Sequence, residues 1–268
     1  MIEIYRKTWI SGFVIGIGFA VFCIIFYFIG YSSFMENGDV LVINGSIALF
    51  SIGTGFRFKN VHRKLVNEKI DMPVRTLDLG DLDELILKRI PSLLFKMYNV
   101  DSDGNPLFVI EPSKGRLSRW LTFFELFEKG FIIPVHYGIL DINGQPLATI
   151  TIRSNIKRDE LTLKEPDGTV IASYVQQHWK AKLKNQGVLY HADGSVWREL
   201  KAKAIAGDID VKDGEGRMAA RYRFGIFPYA MRPVFQSTAH HEHVQFGTHI
   251  SSDEKLAYIM VFFLWLKG

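Results

Sequence analysis

Two long apolar runs open the chain. Thr8–Met35 holds no charged residue over 28 positions, and within it Thr8–Tyr31 exceeds the roughly 20 residues a helix needs to cross a bilayer core. Arg6 and Lys7 give this run a basic start, as in a secretory signal peptide. Its apolar part is longer than such a peptide's, and no small-residue cleavage site follows. The second run, Val40–Phe56, has 17 residues, the short limit for a span, and Asn44, Gly45 and Ser46 weaken it. A buried hairpin of strands or an interfacial segment is the alternative there. The flanking charges favour a second span. Arg6 and Lys7 precede the first run, Glu36 and Asp39 lie between the two, and Arg57, Lys59, Arg63 and Lys64 follow. The positive-inside rule then predicts two spans with both ends, and hence the following domain, in the cytoplasm.

Small residues recur every fourth position on each run: Gly12, Gly16 and Ala20 on the first, Ser51 and Gly55 on the second. Such stripes let helix backbones approach closely. They fit packing of the hairpin on itself, or a homo-oligomer through the same faces. Cys23 falls mid-span and reads as a small apolar filler.

After His62 the pattern changes. Val61–Lys69 is polar and reads as linker. Asp78–Ile90 spaces Leu79, Leu82, Leu85, Ile86 and Arg89 near helical periodicity and stops at Pro91, which predicts a short amphipathic helix. The predicted organisation is a transmembrane helical hairpin over 1–60, linker and amphipathic helix over 61–94, and a β domain over 95–268. In that domain an Asp-Gly or Asn-Gly pair followed by a strand-like run recurs five times, in Asp101–Ile110, Asp141–Ile150, Glu165–Tyr174, His191–Leu200 and Val211–Ala220. These pairs suit hairpin turns that need positive φ. Five turns imply about ten strands. Trp179, Ala181 and Leu183 alternate with Lys180, Lys182 and Lys184, and Met218, Ala220, Tyr222 and Phe224 alternate with Arg217, Arg221 and Arg223. One apolar and one solvated face predict an antiparallel meander closing into a barrel or sandwich.

The C-terminal segment is different. Ser251-Ser252-Asp253-Glu254 reads as a capping box, and Leu256–Leu266 is apolar without interruption. A helix apolar on every side is buried or crosses a membrane. Eleven residues span about 16 Å, half a bilayer core, so this helix is expected inside the barrel. The predicted fold is mainly β: a closed antiparallel barrel of about 12 strands around a buried C-terminal helix, preceded by the membrane hairpin.

The serial hairpins, the stretch Ile171–Trp179 and the closing helix Ala257–Leu266 together resemble the tubby C-terminal domain fold. Phospholipid scramblases and LURP-one-related proteins are similar members of that superfamily. The resemblance covers roughly Lys96–Gly268, and it is this resemblance that implies the twelve-strand count. Ile171–Trp179 looks like the scramblase strand pattern Gly-x-Ile-x-Gln-x-Trp, with Ala172 where glycine is expected. The Pro-rich, Cys-rich leader of scramblases is replaced by the apolar hairpin, so the arrangement looks more like a bacterial membrane-tethered tubby-like protein. The phosphoinositide site of tubby proteins does not align residue by residue.

Composition narrows the chemistry. The chain has 268 residues, 48% hydrophobic and 22% charged, too apolar for disorder and too charged for a polytopic membrane protein. One cysteine excludes a disulfide framework and any multi-cysteine zinc site. A net charge of +4 is modest for a nucleic-acid binder, and the strand pattern lacks a stacking platform of aromatics, so no nucleic-acid partner is expected. No nucleophile elbow, phosphate loop or dinucleotide fingerprint occurs, so no catalytic residue and no cofactor are assigned. Asp101, Asp103 and Asn105 resemble the start of a calcium loop, but Pro112 stands where the bidentate acid belongs. His240, His241 and His243, with His249 beyond, form a histidine cluster in which His241, His243 and His249 are weak candidate metal ligands. A metal-dependent enzyme is one alternative reading; scramblase-like lipid translocation is another. Lys180, Lys182, Lys184, Arg217, Arg221 and Arg223 are the candidate ligand-binding residues, because basic side chains near an anionic leaflet each contribute about 1 kcal/mol. The expected role is a non-catalytic binding, scaffold or sensor module recognising anionic lipid or a membrane protein partner.

Overall fold

The computed structural model describes residues 2–29, 37–67, 79–89, 94–102, 105–114, 122, 128–131, 133–179, 185–203, 208–225 and 241–267, in two compact units, Met1–Asp71 and Met72–Gly268. The first unit is a pair of helices, α1 (Ile2–Ile29) and α2 (Asn37–Asn67), which contain apolar stretches long enough to cross a membrane, Tyr5–Phe28 and Asp39–Arg63. Their small faces meet. A Cβ added at Gly12 would lie 3.0 Å from the Gly55 Cα, and one at Gly16 would lie 3.0 Å from the Ala48 carbonyl oxygen. The small-residue stripes thus pack the hairpin on itself. Asn44 Nδ2 donates to the Val40 carbonyl at 2.7 Å, which satisfies a polar side chain inside the apolar run. The expected linker from Val61 begins later than the spacing suggested, since α2 continues through Asn67.

The second unit is a twelve-stranded antiparallel sheet. Its strands are β1 (Glu84–Arg89), β2 (Met97–Val100), β3 (Pro106–Pro112), β4 (Val135–Asp141), β5 (Pro146–Ser154), β6 (Arg158–Lys164), β7 (Val170–Gln177), β8 (Gln186–His191), β9 (Val196–Lys201), β10 (Ile209–Lys212), β11 (Met218–Gly225) and β12 (His241–Phe246). The order is β10-β11-β12-β1-β2-β3-β4-β5-β6-β7-β8-β9, so the two edge strands are neighbours in sequence. The Lys203 amide donates to the Asp208 carbonyl between them at 2.7 Å, and the sheet closes nearly into a barrel at this seam.

Helix α3 (Ser252–Leu266) fills that barrel. Every residue from Glu254 to Trp265 is buried, which requires protein on all sides. Ser251 caps the helix by accepting the Glu254 amide at 3.3 Å. The Glu254 carboxylate does not return to Ser251, so half of the capping box forms. It accepts the Tyr258 hydroxyl at 2.7 Å and faces Arg198 at 3.5 Å. Lys255 Nζ donates to the Gly80 carbonyl at 2.6 Å, and Trp265 Nε1 lies 3.1 Å from the Tyr174 hydroxyl and Gln176 Oε1. The core is drawn from residues 79–266, so the barrel has a hydrophobic core of its own.

One expectation is corrected. The amphipathic helix over Asp78–Ile90 is instead strand β1. Leu85-Ile86-Leu87 is buried on both faces: Leu85 and Leu87 meet the barrel core, and Ile86 pairs with His243 on the other face. A short apolar run of this kind matches a buried strand as well as a helix, and pairing with the distant β12 decides it. Asp103 and Gly104, where a type I′ hairpin is expected, lie outside the described residues, and the other four Asp-Gly or Asn-Gly turns share one form. Gly144, Gly168, Gly194 and Gly216 have positive φ and each donates to the carbonyl three residues earlier, with a register shift beside each turn. These are type I turns closed by a glycine bulge. In the last of them the turn glycine is Gly216, not the Gly214 of the Asp-Gly pair.

Phe263 is fully buried and meets Tyr137 and Phe95 edge-on at 5.0 and 5.4 Å. Phe263→Ala should lower barrel stability by about 3–5 kcal/mol, read by denaturant unfolding of residues 72–268. A loss below about 1 kcal/mol would contradict an interior helix.

Candidate functional site

Strand direction alternates around an all-antiparallel meander. Connections after odd-numbered strands therefore join strand ends at one end of the barrel, and those after even-numbered strands at the other. The two sets differ in kind. Segments 90–96, 113–134, 155–157, 178–185, 202–208 and 226–240 carry eleven Lys or Arg against three carboxylates, and ten Phe, Trp or Tyr. Segments 101–105, 142–145, 165–169, 192–195, 213–217 and 247–251 carry seven carboxylates against one arginine, and no Phe, Trp or Tyr. By sequence, one set of connections is basic and aromatic and the other is acidic.

The acidic end is negative because of how its turns are built. Asp167 and Asp193 accept the Thr169 and Ser195 amides at 2.8 Å. The amide of Thr169, and the hydroxyl and amide of Ser195, hold these two carboxyls below their ordinary range. Asp213 accepts three contacts of this kind, from the Glu215 and Arg217 amides and from Arg217 Nε. Although desolvation opposes it, Arg217 and these amides bring the Asp213 carboxyl down to about 2.

The six basic candidates do not form one face. Lys180, Lys182 and Lys184 lie outside the described residues, between β7 and β8. Arg217 sits at the acidic end, paired with Asp213 at 2.8 Å and Glu215 at 3.1 Å. Arg221 and Arg223 project from β11 and share Asp210 Oδ1 at 2.8 and 2.6 Å, and Lys203 pairs with the same carboxylate. Hydrogen bonds from Lys203 first, then Arg221 and Arg223, hold Asp210 well below the usual carboxylate range against desolvation. The cross-strand register brings Asp210 opposite Arg221, a pairing that alternation within one strand does not reveal.

The histidines separate as well. His240 and the side chain of His241 lie outside the described residues. His243 is buried on β12, with Nε2 3.2 Å from Glu84 Oε2. Burial lowers its pKa, opposed by Glu84. His249 Nε2 lies 2.9 Å from Asp213 Oδ2. Among the described residues no three His, Cys, Asp or Glu side chains converge as metal ligands.

Two buried polar clusters escaped the sequence reading. Glu242 lies opposite Leu87 and Phe224 in the ladder, and its Oε2 is buried without a hydrogen-bond partner. Burial raises its pKa to about 8, opposed by the Tyr222 hydroxyl and Lys88. Asn99, also opposite Leu87, is fully buried with both amide atoms unpartnered. Alternation with the core residue Val244 is the sequence signal that turns Glu242 inward. The second cluster surrounds Lys267. Its ammonium sits 3.8 Å from the Phe95 ring centre, 2.8 Å from the Tyr137 hydroxyl and 3.2 Å from Glu128 Oε2. Burial lowers this lysine to about 7, and Glu128 resists that shift.

One grouping has the residues of a hydrolytic triad without its order. Ser154 Oγ is hydrogen-bonded to the buried Asp159, and His178 Nε2 lies 3.1 Å from the same Oδ1. A triad places histidine between serine and carboxylate as the base. Here the carboxylate lies between them and His178 Nε2 makes no hydrogen bond among the described residues, so the arrangement ties together the two strand ends that flank the β5–β6 turn.

No protein-family model, curated protein or solved structure matches the chain. The barrel and its two unlike ends therefore stand on their own geometry.

Glu242 generates a pH signature. Its folded pKa lies above the unfolded value of 4.5, so the unfolded carboxyl loses its proton first. The wild-type barrel should lose stability relative to Glu242→Gln as pH rises from about 4.5 to about 8, by more than about 1 kcal/mol, and the gap should level off above that. Denaturant unfolding across this range checks it; a constant gap would contradict a carboxyl kept neutral by burial.

Proposed function

We propose that this protein is a non-catalytic binding module, anchored in a membrane by its helical hairpin, whose barrel recognises an anionic lipid surface. The segregation of charge between the two sets of strand connections in the sequence carries this reading. A uniformly solvated barrel has no need to place eleven basic residues and ten aromatics in one set of connections and seven carboxylates in the other. Basic residues draw a surface to anionic lipid, and aromatic rings favour the headgroup level. Two helices of membrane-crossing length in the same chain keep a bilayer within reach. Basic residues early in α1 and late in α2, with acids between the runs, favour both ends in the cytoplasm, where the leaflet is anionic. The resemblance to membrane-tethered tubby-like proteins points the same way.

Residues 72–268 should sediment with vesicles containing phosphatidylserine and not with phosphatidylcholine alone, and added salt should release them. The triple variant Lys180→Glu, Lys182→Glu, Lys184→Glu should weaken sedimentation by about tenfold or more, as three charges near the surface contribute about 1 kcal/mol each. Indifference to phosphatidylserine would overturn the lipid reading and leave a membrane protein partner, sought by crosslinking in native membranes.

A further inference from the structure

The β5–β6 turn and the end of β7 form one apolar tip. Ile156 is 79% exposed and Trp179 is 71% exposed, the two most exposed large apolar side chains among the described residues of the barrel. They are brought together by the ladder. Arg158 pairs with Gln177, and the His178 amide then donates to the Lys157 carbonyl at 2.9 Å. Ile156 and Trp179 each adjoin this hydrogen-bonded pair, one in the turn and one just past the end of β7.

The tip is held in shape rather than left loose. Asn155 Oδ1 accepts the Lys157 and Arg158 amides at 2.8 and 3.0 Å, and the Asn155 amide donates to the Arg158 carbonyl at 3.0 Å. Below it, Ser154 and Asp159 form the buried contact that braces the turn. Lys157 and Arg153 are exposed beside it. Isolated apolar side chains are common on a surface, but two this large and this exposed, in a braced turn and at the strand end beside it, among basic residues, suit an apolar surface.

From this juxtaposition we infer that Ile156 and Trp179 insert into the interfacial layer of an anionic bilayer, as a wedge that docks the barrel on the membrane. The inference rests on the lipid-surface reading above and names the surface and its mode of contact. Trp and Ile would enter the headgroup–acyl boundary, where an indole is favoured, while Lys157 and Arg153 stay at the level of the lipid phosphates. The charge around the tip fits an anionic lipid surface, and the membrane-length helices of the same chain supply the bilayer.

The test uses the full chain with Cys23→Ala, reconstituted in nanodiscs of phosphatidylcholine alone or of an equimolar mixture with phosphatidylserine. A nitroxide on Ile156→Cys should become more accessible to oxygen than to a water-soluble nickel chelate in the mixed discs. One on Ser195→Cys, in the acidic β8–β9 turn, should stay aqueous. Energy transfer from a fluorophore on Ser195→Cys to labelled lipid gives a separate measure of whether the barrel meets the bilayer. It should rise with phosphatidylserine, and Ile156→Asp with Trp179→Asp should abolish that rise. If transfer rises with phosphatidylserine but position 156 stays aqueous, or the double variant keeps the rise, the wedge is overturned and the lipid-surface reading survives. If transfer ignores phosphatidylserine, both fall.

Discussion

The C-terminal helix is the constraint from which the rest follows. Leu256–Leu266 offers no polar face, so water cannot cover any side of it. The barrel supplies the apolar surroundings from all round, and the helix in turn fills a space that twelve strands would otherwise leave open. Its few polar groups are met individually: Glu254 by Tyr258 and Arg198, Lys255 by the Gly80 carbonyl, and Trp265 by Tyr174 and Gln176. Gly187 belongs to the same set of fits, because a Cβ there would come within 2.5 Å of the Tyr174 hydroxyl.

Wrapping a helix with a meander has a consequence for the surface. Each strand reverses the last, so connections after odd-numbered and even-numbered strands leave opposite ends. The tight turns hold Asp and Gly because their backbone geometry and amide hydrogen bonds call for them. Those carboxylates make that end negative as a by-product of turn chemistry. The other set of connections carries no such demand, and there the sequence is basic and aromatic instead. The functional reading rests on this division of labour more than on any single side chain.

Much of the architecture was legible in the sequence, and the failures have physical causes. The uncharged runs, the repeated turns and the apolar closing helix each reflect a local requirement that composition records. Leu85-Ile86-Leu87 misled because a strand buried on both faces has no alternation to show, and its partners lie in β12 and β2. The pairing of Arg221 and Arg223 with Asp210 was hidden because it runs across strands. Ile156 and Trp179 are 23 positions apart, and the pairing of β6 with β7, with the His178 amide on the Lys157 carbonyl, brings their segments side by side. Lys267, Glu128 and Tyr137 meet from three separate parts of the chain, with no motif to announce them.

Hydrogen exchange of the full chain, resolved to single amides, tests the interior position of the C-terminal helix most directly. If the barrel encloses it, the amides from Leu256 to Trp265 exchange only with global unfolding, and they rank with the slowest in Met72–Gly268. Exchange of these amides at the rate of the hairpin-turn amides, with the strands still protected, would show that the helix leaves the barrel and would contradict the account.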